Sequence, residues 1–302
     1  MLKGKDLISI NDLSSQDVSG ILSLATKVKK SPELYKDELR GKSLALIFQK
    51  PSSRTRVSFE VGMAQLGGHA IYLDETHIKF GSREAVKDIA ATLSRYVNCI
   101  VARTFLNKDI EELAEHSTIP VINGLSDMFH PCQGLSDIFT ITEKFKDPKK
   151  IKVVYIGDGN NVLHSLMHGV AKIGLDLTVA SPKGYELKKN IVNEAEKSVK
   201  ITVLNDPLKA AEGAEVIYTD VWVSMGQESE RAKRLNAFKM FQIDSRLMSY
   251  AKPKCLVMHC LPAHRGEEIT DSVIDSPNSI VFDQAENRLH VQKAILMLLL
   301  DK

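Results

Sequence analysis

The segment at residues 48–56 combines the side chains that a phosphate group requires. Its sequence, FQKPSSRTR, contains three hydroxyl side chains and two guanidinium groups. An apolar run of strand length precedes it, and apolar residues at helical spacing follow it as far as Gly67. Backbone N–H groups at a helix N-terminus, together with hydroxyls and arginines, suit a phosphate dianion. The segment therefore predicts an anion site at Ser52, Ser53, Arg54 and Thr55.

An ordinary capped helix with two solvated arginines is the alternative explanation, because Ser and Thr are common N-caps. A P-loop is excluded, since the pattern G-x-x-x-x-G-K-[ST] is absent. Strands and helices alternate from residue 44 to residue 122, which predicts a parallel sheet with ligands at the carboxyl ends of its strands. Arg103 and His130 follow further strands of this pattern. Alone they would indicate a surface ion pair and a turn; together with the anion segment they predict one crevice.

Length and charge limit the possible functions. A chain of 302 residues fits two domains, and 43% hydrophobic with 26% charged residues is ordinary for a globular protein. Forty basic residues are nearly matched by 38 acidic ones, giving a net charge of +2. We therefore expect no nucleic-acid partner and no membrane partner, whereas a local basic cluster for a small anion remains possible.

Cysteine usage and the two ends of the chain indicate a cytoplasmic protein. The four cysteines form no C-x-x-C pair and show no zinc spacing, which predicts free thiols in a reducing compartment. The first ten residues do not resemble a signal peptide, and the apolar run at residues 294–300 is too short to span a bilayer. We find no cluster with metal-ligand spacing and expect neither a metal nor a cofactor.

The second half begins with a strand at residues 151–156 and a glycine-containing turn, GDGNN, at residues 157–161. The turn is a weak dinucleotide-binding signal, because Val162 replaces the third glycine and SPK follows the next strand where an acidic ribose ligand should stand. Asn160 and Asn161 instead offer amides that can bind the carboxylate or amine of an amino acid. Further strand and helix signals predict a second doubly wound domain.

Three polar stretches follow strands or precede the last helix of this half, at residues 220–228, 259–266 and 284–288. Taken singly, Asp220 could be a helix cap, Cys260 a small buried side chain and Arg288 a surface charge. The motifs decide otherwise when they are read as a set. They are S-x-R-T-R, A-R-T-F, H-P-C-Q, G-D-G-N-N, D-x-x-x-S-M-G, H-C-L-P-A and E-N-R.

This set resembles the aspartate and ornithine carbamoyltransferases over the chain from about Asp6 to its end, and the D-x-x-x-S-M-G and H-C-L-P-A motifs are similar to those of the ornithine branch. The resemblance implies an α/β fold of two doubly wound parallel-sheet domains with the active site in the crevice between them. We expect a carbamoyl-phosphate-binding domain at 1–146, an ornithine-binding domain at 147–285, and a last helix, 286–302, that packs back on the first domain.

The implied reaction is attack of the side-chain amine of L-ornithine on carbamoyl phosphate, which gives L-citrulline and phosphate. The resemblance assigns catalytic roles to Arg103, His130 and Cys260. The expected carbamoyl-phosphate ligands are Ser52, Ser53, Arg54, Thr55, Lys79, Arg103, His130, Gln133, Cys260, Leu261 and Arg288. The expected ornithine ligands are Asn161, Asp220, Ser224 and Met225.

Several alternatives stay open from the sequence. Putrescine or N-acetylornithine could replace ornithine, although Asp220 favours a free α-ammonium. A nicotinamide dehydrogenase would leave the S-x-R-T-R segment unexplained, and a non-catalytic member of the fold would not need these polar groups. Both Cys260 and the leaving phosphate could accept the amine proton, and the biosynthetic and catabolic directions are equally compatible. The resemblance also implies a homotrimer or an assembly of trimers, with Lys79 reaching a neighbouring subunit.

Overall fold

The computed structural model describes residues 2–74, 76, 78, 84–224 and 226–300. The chain divides into two compact units. Unit 1 contains Met1–Phe139 together with Glu286–Lys302, and unit 2 contains Thr140–Ala285. The last part of the chain therefore belongs to the unit in which the chain begins.

The sheet of unit 1 consists, within the described residues, of four parallel strands in the order β2-β1-β3-β4. Its strands are β1 (Ser43–Phe48), β2 (His69–Asp74), β3 (Cys99–Arg103) and β4 (Val121–Leu125). β1, β3 and β4 are almost entirely buried, as expected for strands of a parallel sheet covered by helices. β1 and β3 are in register to their last residues, where Phe48 pairs with Arg103.

In the described part of unit 1, one α-helix precedes the first strand and each of the four strands is followed by an α-helix. These helices are α1 (Ser15–Lys30), α2 (Ser53–Gln65), α3 (Val86–Tyr96), α4 (Asn107–His116) and α5 (Pro131–Lys144), the last of which continues into unit 2. α1 begins with a capping box, in which Ser14 and Asp17 satisfy each other's backbone N–H groups. Apolar side chains of β1, β3, α3 and α4, such as Ile47, Ile89 and Leu113, form a buried core cluster in this unit.

The sheet of unit 2 has, in the same described part of the chain, five parallel strands in the order β7-β6-β5-β8-β9. They are β5 (Val153–Ile156), β6 (Leu177–Ala180), β7 (Ile201–Leu204), β8 (Val216–Thr219) and β9 (Leu256–His259). β5 lies at the centre, and the rings of Tyr155 and Tyr218 pack edge to face between it and β8, with centroids 5.5 Å apart.

The helices of unit 2 are shorter on average. They are α6 (Asn161–Ile173), α7 (Lys189–Ala195), α8 (Pro207–Ala211), α9 (Arg231–Phe238), α10 (Ser245–Met248), α11 (Asp271–Ile274) and α12 (Val281–Leu300), the last of which continues into unit 1. Among the described residues, we find no helix whose length and apolar character would let it cross a membrane.

The predicted fold class, two α/β domains with parallel sheets, is confirmed. Two boundaries differ from the sequence-based expectation because of helix starts. The apolar spacing predicts helix starts at Val57 and at about Leu135, whereas α2 begins at Ser53 and α5 at Pro131. A hydroxyl cap and a proline at the first position can start a helix before its apolar stripe begins. The sequence-based strand assignment did not include the edge strand β7, because an apolar run of only four residues, ITVL, is too short for its pattern to distinguish a strand from a helix segment.

Candidate active site

The predicted anion segment forms the loop between β1 and the start of α2. Ser52 is the N-cap of α2, and its Oγ accepts a hydrogen bond from the Thr55 backbone N–H at 3.3 Å. The same Oγ donates to Thr55 Oγ1 at 3.1 Å. Thr55 is buried, whereas Ser53 is exposed and Arg54 is half-buried. The hydroxyl groups of the segment are thus held at the positive end of a helix.

The two other polar positions of unit 1 lie at the ends of the adjacent strands. Arg103 is the last residue of β3, which neighbours β1, and its backbone carbonyl accepts a hydrogen bond from Gln49 N at 2.8 Å. His130 precedes the first residue of α5 and follows β4, the strand next to β3. Both side chains are 5% exposed. The carboxyl edge of the sheet therefore brings the three segments of this half together.

Arg288, on α12, joins this group. Its Nη1 donates to Gln133 Oε1 at 2.6 Å, and its Nη2 donates to Thr55 Oγ1 at 3.3 Å. Gln133 Nε2 in turn donates to Asp137 Oδ1 at 2.8 Å. These contacts fix the amide of Gln133 between a guanidinium group and a carboxylate, and they join the Thr55 hydroxyl to the same guanidinium group.

The imidazole of His130 is kept neutral. Burial lowers its pKa well below the usual 6.5, and the positive charges of Arg288, Arg103 and Arg54 lower it further. A neutral imidazole carries one N–H donor, which suits a ligand oxygen better than a ligand cation. The site in unit 1 thus combines guanidinium groups with an uncharged donor, an arrangement that fits a phosphate and a polarised carbonyl group.

In unit 2, Asp220 follows β8 and is held by two neutral donors. Cys260 Sγ donates to its Oδ1 at 3.0 Å, and Asn160 Nδ2 donates to its Oδ2 at 2.7 Å. Asn160 is also the N-cap of α6, because its Oδ1 accepts from the backbone N–H groups of Val162 and Leu163. Asp220 is 6% exposed, so it is a buried carboxylate whose remaining lone pairs suit an ammonium group.

The segment after β9 is supported by a buried pair. His259 Nε2 lies 3.0 Å from Glu268 Oε1, and both side chains are fully buried. The other ring nitrogen, His259 Nδ1, accepts the backbone N–H of Leu261 at 2.9 Å. Leu261 has a positive φ of 59°, a conformation that is uncommon for a residue with a side chain and is often found at functional sites. Cys260 and Leu261 are thereby held in a defined, strained turn.

Arg234, on α9, connects the two loops that flank Asp220. Its Nη1 donates to Asp158 Oδ2 at 2.9 Å and to the Trp222 backbone carbonyl at 3.0 Å. Burial raises the pKa of Asp158 to about 6, Arg234 counteracts this shift, and the charge of Asp220 adds to it. The guanidinium group therefore fastens the GDGNN turn to the segment that follows β8.

The second glycine of the GDGNN turn has a packing role. A Cβ placed on Gly159 would come within 2.8 Å of the Glu186 backbone carbonyl, so the turn and this backbone can approach each other only without a side chain. This close packing accounts for the glycine, so the glycine is not evidence for a bound dinucleotide.

The structure gives little or no support for four of the predicted ornithine and phosphate ligands. Lys79 and Met225 lie outside the described residues. Asn161 is the first residue of α6. The Ser224 backbone N–H, which we expected to bind a substrate carboxylate, donates to Gln227 Oε1 at 3.2 Å. A ligand at Ser224 would therefore have to displace this side chain.

Sequence reasoning missed four supporting residues: Asp158, Arg234, His259 and Glu268. The signal for two of them was present, since Asp158 and His259 stand inside the motifs. Arg234 and Glu268 carry no local signal, because each is defined by partners that are 76 and 9 residues away in the chain.

Comparison with known proteins shows two matching family models. The model described as "Aspartate/ornithine carbamoyltransferase, carbamoyl-P binding domain" matches residues 5–143, and that described as "Aspartate/ornithine carbamoyltransferase, Asp/Orn binding domain" matches residues 149–299. The anion segment lies in the first match, and Asp220 and Cys260 lie in the second.

Individual relatives agree over the full length. The chain is 53% identical to the anabolic ornithine carbamoyltransferase of Pyrococcus furiosus over 306 residues, covering 99% of this chain and 97% of the relative. It is 50% identical to the ornithine carbamoyltransferase of Bacillus subtilis over 310 residues, covering 100% and 95%. A solved structure of ornithine carbamoyltransferase from Pyrococcus furiosus superposes with a TM-score of 0.95 at 52% identity, covering 99% of this chain and 98% of the other.

Proposed function

Because this chain belongs to the aspartate/ornithine carbamoyltransferase family, we propose that the two groups of residues described above carry out carbamoyl transfer to L-ornithine. The reaction joins the side-chain amine of ornithine to the carbonyl carbon of carbamoyl phosphate and releases inorganic phosphate, leaving L-citrulline. Full-length identity of about half to ornithine carbamoyltransferases carries this conclusion. The description of one relative as anabolic supports a role in arginine biosynthesis.

The phosphate of carbamoyl phosphate binds at the start of α2. Backbone N–H groups and hydroxyls of Ser52, Ser53 and Thr55 supply hydrogen bonds, and Arg54 supplies a charge-assisted contact. The support for this proposal is the position of the segment at a helix N-terminus, with the Ser52 and Thr55 hydroxyls already joined to each other. We keep Lys79 as a further phosphate ligand on the basis of the family resemblance alone.

The carbonyl oxygen of the carbamoyl group is bound by Arg103, His130 and Thr55. The neutral imidazole of His130 can donate its N–H, and the Arg103 guanidinium stabilises the negative charge that develops on the oxygen in the transition state. Gln133 orients the carbamoyl nitrogen, and the Leu261 carbonyl accepts from it. Arg288 holds the Gln133 amide in place and adds positive charge.

Ornithine binds in unit 2 through its amino-acid end. The α-ammonium pairs with Asp220, and the α-carboxylate receives hydrogen bonds from Asn161 and from the backbone at Ser224 and Met225. The support for this proposal is that Asp220 is buried and that the donors from Cys260 and Asn160 which hold it are neutral, so its charge remains uncompensated by those contacts. A cationic ligand supplies the missing charge.

The amine must lose a proton as it attacks, and we propose Cys260 as one of two candidates that receive it. As the amine N–H proton moves to Sγ, the thiol proton can pass to Asp220 Oδ1 across the 3.0 Å hydrogen bond. The leaving phosphate is the other acceptor. Cys260→Ser keeps a hydroxyl that can relay a proton, whereas Cys260→Ala does not; a relay predicts much higher kcat for the serine variant, and equal loss in both assigns the proton to phosphate.

Substrate choice is tested with a panel of acceptors and carbamoyl phosphate. We expect kcat/KM for L-ornithine to exceed that for putrescine and for N-acetylornithine by at least about 100-fold, because both analogues lack the α-ammonium that would pair with Asp220. A higher kcat/KM for either analogue would show that ornithine is not the preferred acceptor. The proposed carbamoyl-phosphate site would not be affected by that result.

We also propose a homotrimer or an assembly of trimers, working in the cytoplasm. Val57 and Val61 on α2 and Ile71 on the edge strand β2 are apolar and exposed, which supports a subunit contact on unit 1. All four cysteines are free thiols, which supports a reducing compartment. Light scattering gives the mass of the assembly. Activity recovered on mixing Arg103→Ala and Lys79→Ala chains would support a shared site.

A further inference from the structure

The turn that follows the Cys260 segment gathers three metal-ligating side chains: His264, Glu267 and Glu268. One ligand atom from each lies within 4.8 Å of the other two. His264 Nδ1, Glu267 Oε2 and Glu268 Oε2 are all buried and make no hydrogen bond. His264 Nδ1 lies 3.7 Å from Glu267 Oε2, and the Glu268 side chain is fully buried. Local sequence spacing did not identify this group, because its ligand atoms come together only through the conformation of the turn.

The remaining polar atoms of these residues are already engaged. Glu268 Oε1 accepts the His264 backbone N–H at 2.6 Å and faces His259 Nε2 at 3.0 Å. Glu267 Oε1 accepts a hydrogen bond from Arg231. The Glu267 backbone N–H donates to the His264 carbonyl at 2.8 Å, which closes the turn. The three atoms without hydrogen bonds are therefore held in place by partners on their other sides.

A buried carboxylate oxygen that lacks a partner costs free energy, and a fully buried one costs most. Two carboxylates and one imidazole, with a ligand atom of each within 4.8 Å of the other two, form a donor set that a divalent cation satisfies. Imidazole and carboxylate together suit Mn²⁺, Fe²⁺ or Zn²⁺ better than the softer metals that thiolates select. We propose that His264, Glu267 and Glu268 bind a divalent first-row transition metal, with water completing its coordination.

The charged neighbours of the turn set the strength of this site. Arg231 contacts the other oxygen of Glu267 and reduces the net negative charge of the donor set. Arg265 is neutralised by Asp271 and Asp275, each 2.6 Å away. When Arg231 is counted, the three ligands and this arginine together carry a net charge of about −1, which favours a cation. We expect the affinity for a cation to be lower than that of a site with two carboxylates and no neighbouring arginine.

A second group of three possible ligands, Asp220, His259 and Cys260, lies close by in the chain and needs to be distinguished. It contains a thiol and belongs to the proposed ornithine site. The probe should therefore be Mn²⁺, which prefers oxygen and nitrogen ligands and has little affinity for thiolates. Binding is measured on the intact protein without substrates, so the result does not depend on whether the proposed carbamoyl transfer is correct.

Loss of the electron paramagnetic resonance signal of free Mn²⁺ gives the stoichiometry and affinity. We expect one site per chain, weakened at least about tenfold by Glu267→Gln and by His264→Ala, because removal of a ligand costs that much in metal affinity or more. Cys260→Ser should bind as the wild type does. Asp271→Asn is the matched control, since it removes one negative charge from the neighbouring helix without touching the three donors.

A second measurement guards against variants that fold poorly. Mn²⁺ should raise the unfolding temperature of the wild type and of Asp271→Asn, but not that of Glu267→Gln, since only a ligand of the folded state stabilises it. Absence of saturable Mn²⁺ binding to the wild type would overturn the site. So would equal weakening by Asp271→Asn, which would indicate general electrostatics, or loss of binding in Cys260→Ser alone, which would assign the metal to the other group.

Discussion

The two units carry side chains of opposite charge at the carboxyl ends of similar parallel sheets. In unit 1, Arg103 and Arg288 are buried beside the N-terminus of α2, and His130 is held neutral among them. In unit 2, the central group is the carboxylate of Asp220, held by the neutral donors Cys260 and Asn160. We therefore expect the first group of residues to bind an anion and the second to bind a cation.

This difference teaches how one fold can select two substrates. The parallel sheet gives both units the same placement of loops, and the side chains at adjacent strand ends decide the sign of the ligand. Unit 1 relies on the permanent charges of its arginines. Unit 2 relies on hydrogen bonds that fix the Asp220 carboxylate, and Arg234 connects the surrounding loops through its hydrogen bonds to Asp158 and to the Trp222 carbonyl.

The largest expected effect comes from removing a cation of unit 1. Arg54→Ala should lower kcat/KM for carbamoyl phosphate by about 10³-fold and change the KM of ornithine far less, because the lost contact is charge-assisted and acts on the dianion. Steady-state kinetics with each substrate varied will show this. Arg56→Ala is the matched control, since Arg56 is exposed and pairs with Glu60 at 3.0 Å. A similar decrease of kcat/KM in both variants would contradict a specific role of Arg54 in binding carbamoyl phosphate.

The corresponding change in unit 2 is Asp220→Asn, which keeps the shape and removes the charge. We expect the KM for ornithine to rise by about 100-fold, in line with loss of a charge-assisted hydrogen bond, while the KM for carbamoyl phosphate stays within a few-fold. Glu196→Gln, an exposed acid of the same unit, should leave both constants unchanged. An equal effect of Asp220→Asn on the two substrates would contradict the division of labour.

Binding order gives a third way to sharpen the comparison. The cationic site of unit 1 should fill first, and the bound anion should then help to receive the ornithine ammonium. Calorimetry should show ornithine binding at least about tenfold more tightly when a phosphonate analogue of carbamoyl phosphate is present, within the usual range of coupling between sites. The Arg54→Ala variant should lose this gain. Equal ornithine affinity in both conditions would make the two sites independent.

A smaller effect is expected at the supporting guanidinium of unit 2. Arg234→Lys keeps the positive charge but loses the fork that reaches both Asp158 and the Trp222 carbonyl, so ornithine KM should rise by about tenfold with little change in carbamoyl-phosphate KM. Arg246→Lys on the exposed face of α10 serves as the control. If the unfolding free energy falls while ornithine KM does not change, Arg234 has a purely structural role.

The smallest effect concerns His130 and the pH dependence of stability. The pKa of His130 is lowered in the folded protein, so below pH 6.5 the unfolded chain binds a proton that the folded chain excludes. The free energy of unfolding therefore decreases as the pH is lowered. Between pH 7.5 and 5.5 the wild type should lose about 1.4 kcal/mol more than His130→Gln, one pH unit of linkage. Urea unfolding at both pH values measures the difference. Parallel losses would mean that His130 becomes charged in the folded state.

The sequence by itself determined the elements and most of the chemistry. Alternating apolar runs and helical stripes are local patterns, so they predicted the parallel sheets and placed Arg54, Arg103 and Asp220 just past strand ends. The motif set identified the family, because each motif keeps several functional side chains within a few residues. β7 was missed because four residues are too few for an apolar run to identify a strand by its pattern alone.

Tertiary structure decided how these side chains are held. Arg288 meets Gln133 across 155 positions of sequence, and Arg234 meets Asp158 across 76, so neither contact leaves a trace in local spacing. The neutrality of His130 depends on burial and on three arginines from different segments. The orientation of His264, Glu267 and Glu268 depends on which of their atoms the turn already uses. Periodicity fixes which residues lie at an edge of a sheet, whereas partners, burial and charge arise only when distant segments pack together.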